Sequence, residues 1–250
     1  MNTLPPDLTL AVLLSLTGLF TSALSGVAGL GGGTILIGVL YALGLAPVEA
    51  IPLFAAVQLV SNLTRTAAYL PHVEWRAAGW FLLACVPATV LLAPWAAGAN
   101  VHVVQLALAG LIAVSLLPTA KAAPLPPRVA FVTAGAVNGT LGMFLGATGL
   151  FVGRLFFRPE WPKERVVATL ALTQVFGHGL RVVAYGLVGF SVFAKPLVLL
   201  PVCASVVLGT LLGKQLNGRL SEASFRRLFQ GILLVLTLKL GTDGIIGLWN

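Results

Sequence analysis

Between Asp7 and Glu49 the chain carries no charged side chain, and inside this apolar run lies SGVAGLGGGTILIG, residues 25–38. The stretch holds six glycines: Gly26, Gly29, Gly31, Gly32, Gly33 and Gly38. Each glycine in a helix interior costs about 1 kcal/mol relative to alanine. Three in a row therefore predict a break between two apolar helical segments. In lipid, backbone leaves the helix only where it is buried in protein or lines a wet cavity. A break of this kind in a membrane setting points to a purpose.

Composition establishes that setting. The chain is 58% hydrophobic and 9% charged, with a mean hydropathy of +1.00. Soluble domains carry about 25% charged residues, so this chain cannot cover a water-facing surface. The expected fold is all-α: a polytopic helical membrane protein. No Lys or Arg precedes Arg65, so the basic start of a secretory signal is lacking and the first apolar segment is expected to stay. Cys85 and Cys203 sit in apolar runs and read as packing residues, with no disulfide framework, metal site or cofactor motif. The net charge of +8 comes without any basic run. It reads as cytoplasmic loops, with no nucleic-acid partner.

Apolar segments are expected near 8–28, 34–45, 50–70, 77–96 and 102–118, and again near 129–144, 149–158, 165–186, 195–213 and 224–248. Between the two sets lies PTAKAAPLPPR, residues 118–128, a proline-rich linker. The two sets are related. QLVSNLTRTAAY (58–69) and QVFGHGLRVVAY (174–185) share Gln, Arg, Ala and Tyr at a shift of 116. The same shift takes Gly26 to Gly142 and Gly33 to Gly149, so the glycine break recurs as GMFLGATG, residues 142–149. A duplication explains this, with repeats at 1–117 and 129–250.

The positive-inside rule assigns orientation. With the linker inside, the inside loops hold Arg76, Lys121, Arg128, Arg158, Lys163, Arg165, Lys214, Arg219, Arg226 and Arg227, and the outside loops hold Lys195. This bias predicts both termini outside and the two repeats in opposite orientations. Inverted repeats with discontinuous helices are a plan of secondary transporters, with the substrate near the midplane.

Two constellations are candidates for the site. The first is backbone at the breaks, Gly31, Gly32, Gly33 and Thr34 in one half and Ala147, Thr148 and Gly149 in the other. Helix N-termini offer unpaired N–H groups and a partly positive dipole end, so two of them facing each other form an anion site. The alternative is that these glycines serve close helix packing. The second is a polar stripe. Gln58, Asn62, Arg65 and Tyr69 share one helix face, and Gln174, His178, Arg181 and Tyr185 repeat the spacing. Polar side chains in a membrane segment face the protein interior. The glutamines are candidate oxoanion donors. Arg65 is expected toward the inside mouth and Arg181 toward the outside mouth, each drawing anions by its fork or else snorkelling. His178 is a candidate for a coupling proton or a neutral core histidine. Tyr69 and Tyr185 are expected as interfacial anchors, and Glu49, Glu74, Glu160 and Glu164 as solvated loop charges.

GVAGLGGGTILIG, its echo and the repeated apolar segment after each break resemble the TauE/SafE sulfite exporter family over about 9–240. The resemblance implies an inner-membrane transporter of sulfite, thiosulfate, sulfoacetate or a related sulfur-containing anion, with Gly29, Gly31, Gly32 and Gly33 as the motif glycines. The second half departs from the pattern: LGATG, with Gly146 and Gly149, stands where a second triplet is expected. A passive anion channel would use the same residues. A membrane-embedded enzyme has no support from H-E-x-x-H, G-x-S-x-G or a pair of intramembrane acids.

Overall fold

Proline and glycine punctuate the apolar segments, and the helices begin and end where they fall. The computed structural model describes residues 6–28, 32–117, 125–216 and 222–249. These form α1 (Pro6–Ala28), α2 (Gly32–Ala42), α3 (Pro47–Ala68), α4 (Trp75–Ala96) and α5 (Val101–Leu116). The second half forms α6 (Pro127–Leu145), α7 (Gly149–Phe156), α8 (Lys163–Leu187), α9 (Pro196–Leu216) and α10 (Glu222–Trp249). Pro47 and Pro127 stand at the first helical position of α3 and α6, where a missing N–H costs nothing and φ is already set. The linker therefore stops short of Pro127, and Arg128 belongs to α6; residues 118–124 lie outside the described residues. Asn100 caps α5, its Oδ1 accepting from the His102 and Val103 amides at 2.9 and 3.3 Å.

Six of the described helices are long and apolar enough to cross a membrane, those carrying Asp7–Ser25, Trp75–Ala96, Pro127–Leu145, Lys163–Leu187, Pro196–Gln215 and Arg227–Trp249. α3 is absent from that set although its 22 residues reach about 33 Å at 1.5 Å per residue. It carries Glu49, Gln58, Asn62 and Arg65, and it packs against α8 with most of its side chains buried. In α8, 61% of the apolar window is buried, against 22% in α10. The two polar helices therefore hold the middle, and α10, the least buried of the spans, faces lipid.

The pairings follow the duplication. α1 packs on α9 and α6 on α4; α3 packs on α9 and α8 on α4; α3 pairs with α8 and α5 with α10. Exchanging α1–α5 with α6–α10 maps this set onto itself, as expected of two related repeats about a pseudo-twofold axis. The α6–α4 contact is backbone on backbone: a Cβ on Gly135 would collide with the Phe81 carbonyl, and one on Gly139 with the Cys85 carbonyl. Small residues permit this approach.

Both short helices are half-spans. α2 has 11 residues and α7 has 8, about 17 and 12 Å at 1.5 Å per residue. α6 ends at Leu145, Gly146 turns the chain at φ +81°, and α7 starts at Gly149. In the first half α1 ends at Ala28 and α2 begins at Gly32. Gly29 and Gly31 lie outside the described residues.

Candidate functional site

The two half-helices and the two polar helices meet at one place. A cavity of about 50 Å³ is lined by Ser25 of α1, Gly33 and Thr34 of α2, Phe54, Gln58, Asn62 and Arg65 of α3, the Ala147–Gly149 turn, and Leu170, Gln174 and His178 of α8. The structure thus gathers Gly33, Thr34, Gln58, Asn62, Arg65, Ala147, Thr148, Gly149, Gln174 and His178 around one space. Gly32 stands one residue back, Arg181 does not reach it, and Gly31 lies outside the described residues.

Gly32 and Gly33 belong to the first turn of α2 and not to the break itself. Gly32 donates its N–H to Ser25 Oγ at 3.0 Å, and a Cβ there would collide with Ser25 and with the Thr21 carbonyl. Glycine lets α2 seat its N-terminus directly on α1. Gly33 faces Gln58, whose Nε2 would lie 3.2 Å from an added Cβ.

The hydrogen bonds around the cavity engage most of its side-chain acceptors and leave several donors open. Asn138 of α6 donates Nδ2 to Thr148 Oγ1 at 3.0 Å and to Gln174 Oε1 at 3.1 Å. That fixes the Gln174 amide, and its buried Nε2 has no partner. Asn62 donates Nδ2 to the Gln58 carbonyl at 2.8 Å, and its Oδ1 receives Arg65 Nη1 at a long 3.4 Å. Arg65 Nε is buried and unpartnered. The Gln58 amide makes no hydrogen bond among the described residues. His178 Nδ1 meets Arg181 Nη1 at 2.9 Å. A guanidinium only donates, so Nδ1 accepts and the imidazole proton sits on Nε2. The ring also rests edge-on against Phe54, centroids 5.3 Å apart.

Arg181 corrects an expectation. It is 1% exposed, and its Nη2 donates to the Asn138 carbonyl at 2.9 Å and to Asn138 Oδ1 at 2.8 Å. It is neither at a mouth nor snorkelling. Gly142, placed in the break by the echo, is inside α6; a Cβ there would collide with Arg181 Nη2, so the glycine makes room for the guanidinium. Tyr185 is a second correction. It is buried and donates to the Met143 carbonyl at 3.0 Å, tying α8 to α6 instead of anchoring at an interface. Tyr69 closes α3 and lies under the Lys214 ammonium, 5.0 Å from the ring centroid. Glu49 and Glu74 are half-buried, while Glu160 and Glu164 are exposed. Cys85 is buried, its Sγ 3.8 Å from Asn138 Oδ1, and Cys203 is half-buried. Among the described residues no three His, Cys, Asp or Glu side chains are grouped to hold a metal.

Asn138 and Ser25 are the residues that sequence reading missed. A lone Asn inside an apolar segment was the available signal, since such residues in membrane spans mark functional contacts.

The comparison with known proteins supplies the family. The family model described as "Sulfite exporter TauE/SafE" matches residues 14–240. The chain belongs to the TauE/SafE family. It is 29% identical over 222 residues to a protein of Cupriavidus necator described as "Probable sulfite/organosulfonate exporter TauE", covering 83% of this chain and 84% of that one. No solved structure matches the chain. This TauE/SafE member is a multi-pass membrane protein of an anion-exporter family.

Proposed function

We propose that this chain carries a small sulfur oxoanion, sulfite or a short organosulfonate, across the inner membrane, seated between the N-termini of α2 and α7. The observation that carries the reading is the one-sided chemistry of the cavity. Thr148 Oγ1, Gln174 Oε1, Asn62 Oδ1 and His178 Nδ1 are engaged by Asn138, Arg65 and Arg181, which leaves Gln58 Oε1 as the open amide acceptor, while Gln174 Nε2, Gln58 Nε2, Arg65 Nε and the His178 Nε2–H remain to donate. Two helix N-termini add partial positive charge. A buried unpaired donor costs about 1–3 kcal/mol, and an oxoanion is the ligand that removes this cost at several donors together. The volume of about 50 Å³ has room for a few waters or for one compact anion. The sulfur chemistry comes from the family and from the relative's description.

Transport then follows the repeats. With 1–117 and 129–250 inverted, the linker inside and both termini outside, the α3–α8 seam is the surface on which the halves rock, and the cavity is its closed centre. Arg65 supplies the charge that meets the anion. Arg181 holds Asn138 and His178 in place. Because His178 is held as a neutral Nε2–H donor, it serves as a ligand and not as the carrier of a coupling proton.

Sulfite efflux from proteoliposomes tests this, with Gln58→Ala/Gln174→Ala beside the wild type. Efflux by the wild type and loss of apparent affinity in the double variant are expected. Undiminished affinity in that variant contradicts the seat. Currents far above carrier turnover would instead mark a channel.

A further inference from the structure

The cavity uses none of the basic and aromatic residues gathered where α4, α6 and α8 begin. There a groove of about 890 Å³ is lined by Glu74, Arg76, Trp80, Leu83, Arg128 and Trp161, among others. Arg76 and Arg128 stand in the first turns of α4 and α6, which carry no acidic residue there. Cations are disfavoured at the positive end of a helix dipole, and Glu74, the N-cap residue of α4, is the one carboxylate lining the groove against the two arginines. Neither arginine is in an ion pair among the described residues.

We propose that this groove binds the headgroup of an anionic phospholipid, its phosphate held by Arg76 and Arg128. The aromatic frame supports it. The Arg128 guanidinium lies 5.3 Å from the Trp80 ring centre and Arg165 lies 5.9 Å from that of Trp161, which stacks on Phe131. These cation–π contacts hold the guanidiniums at the rim. Behind Phe131, Arg158 is buried with Nε and Nη2 unpartnered and adds fixed positive charge. The groove opens onto lipid-facing side chains such as Leu83, which suits acyl chains. Glu74 is a single carboxylate against these cations, so the local balance is positive. The charge distribution puts this end on the cytoplasmic side, where basic pockets between membrane helices meet anionic headgroups.

Native mass spectrometry of the purified protein with equimolar phosphatidylglycerol, phosphatidylethanolamine and phosphatidylcholine tests it. Phosphatidylglycerol should be retained preferentially. R76Q and R128Q should each weaken retention about fivefold, and together about 25-fold, whereas K195Q should not. The single variants, at exposed positions, give the same reading if the double variant is unstable. Equal retention by R76Q, R128Q and wild type overturns the proposal. So does equal retention of phosphatidylethanolamine, or full displacement of lipid by excess inorganic phosphate.

Discussion

Arg65 and Arg181 occupy equivalent places in the duplication, yet they do different work. Arg181 makes two bonds to Asn138 at 2.8 and 2.9 Å and one to His178 at 2.9 Å. Arg65 has one long contact to Asn62 at 3.4 Å and lines the cavity. The cause lies one helix away. The position equivalent to Asn138 is Ser22, too short to reach a guanidinium, and its hydroxyl meets Ser61 at 3.4 Å instead. One change of partner ties Arg181 to α6 and leaves Arg65 lining the cavity.

The largest effect expected is at α2. Gly32→Leu drives a side chain into Ser25 and the Thr21 carbonyl, so efflux should vanish while the protein still reaches the membrane. Normal efflux would mean that the glycine end of α2 is not part of the site.

Next comes the arginine pair. Arg65→Gln should weaken apparent sulfite affinity by about ten- to a hundredfold, the value of one hydrogen bond from a charged donor at 1.5–3 kcal/mol, without lowering the unfolding temperature. Lysine should restore it only partly, lacking the planar fork. Arg181→Gln should do the reverse, destabilising by about 1–3 kcal/mol as buried acceptors that lose their donor do, with a smaller change in affinity. Equal affinity losses at both sites would erase the distinction.

Two exchanges sharpen it further. Asn138→Ser recreates the first-half arrangement. It should free Arg181 and the Gln174 amide, lowering stability by about 1–3 kcal/mol and raising apparent KM. Ser22→Asn offers Arg65 a partner and should weaken affinity a few-fold, the smallest effect of the set. Unchanged affinity there would show that Arg65 does not swing between partner and ligand.

Much of this was legible in the sequence. Hydropathy and the Pro/Gly punctuation give ten helices whose bounds lie within a few residues of those observed, because in lipid every backbone group must be satisfied within its own helix. The spacing of Gln58, Asn62 and Arg65 gives one face, and the structure turns that face to the cavity. What spacing cannot give is the partner across the interface. Arg181 has the same periodicity as Arg65, and its fate is decided by Asn138 on α6, whose first-half equivalent is the shorter Ser22. Tyr185 was misplaced for the same reason, its acceptor being the Met143 carbonyl. Gly142 carried the echo of the break but serves to clear space for a side chain.

The proposed seat of the anion is between the two half-helices, on the Arg65 side. A structure of the protein loaded with selenite, located by the anomalous scattering of selenium, tests it most directly. One peak is expected within hydrogen-bonding reach of Gln58, Gln174 and the amides that begin α2 and α7, nearer Arg65 than Arg181. A peak at Arg181 and Asn138, or at neither break while selenite is still transported, would contradict it.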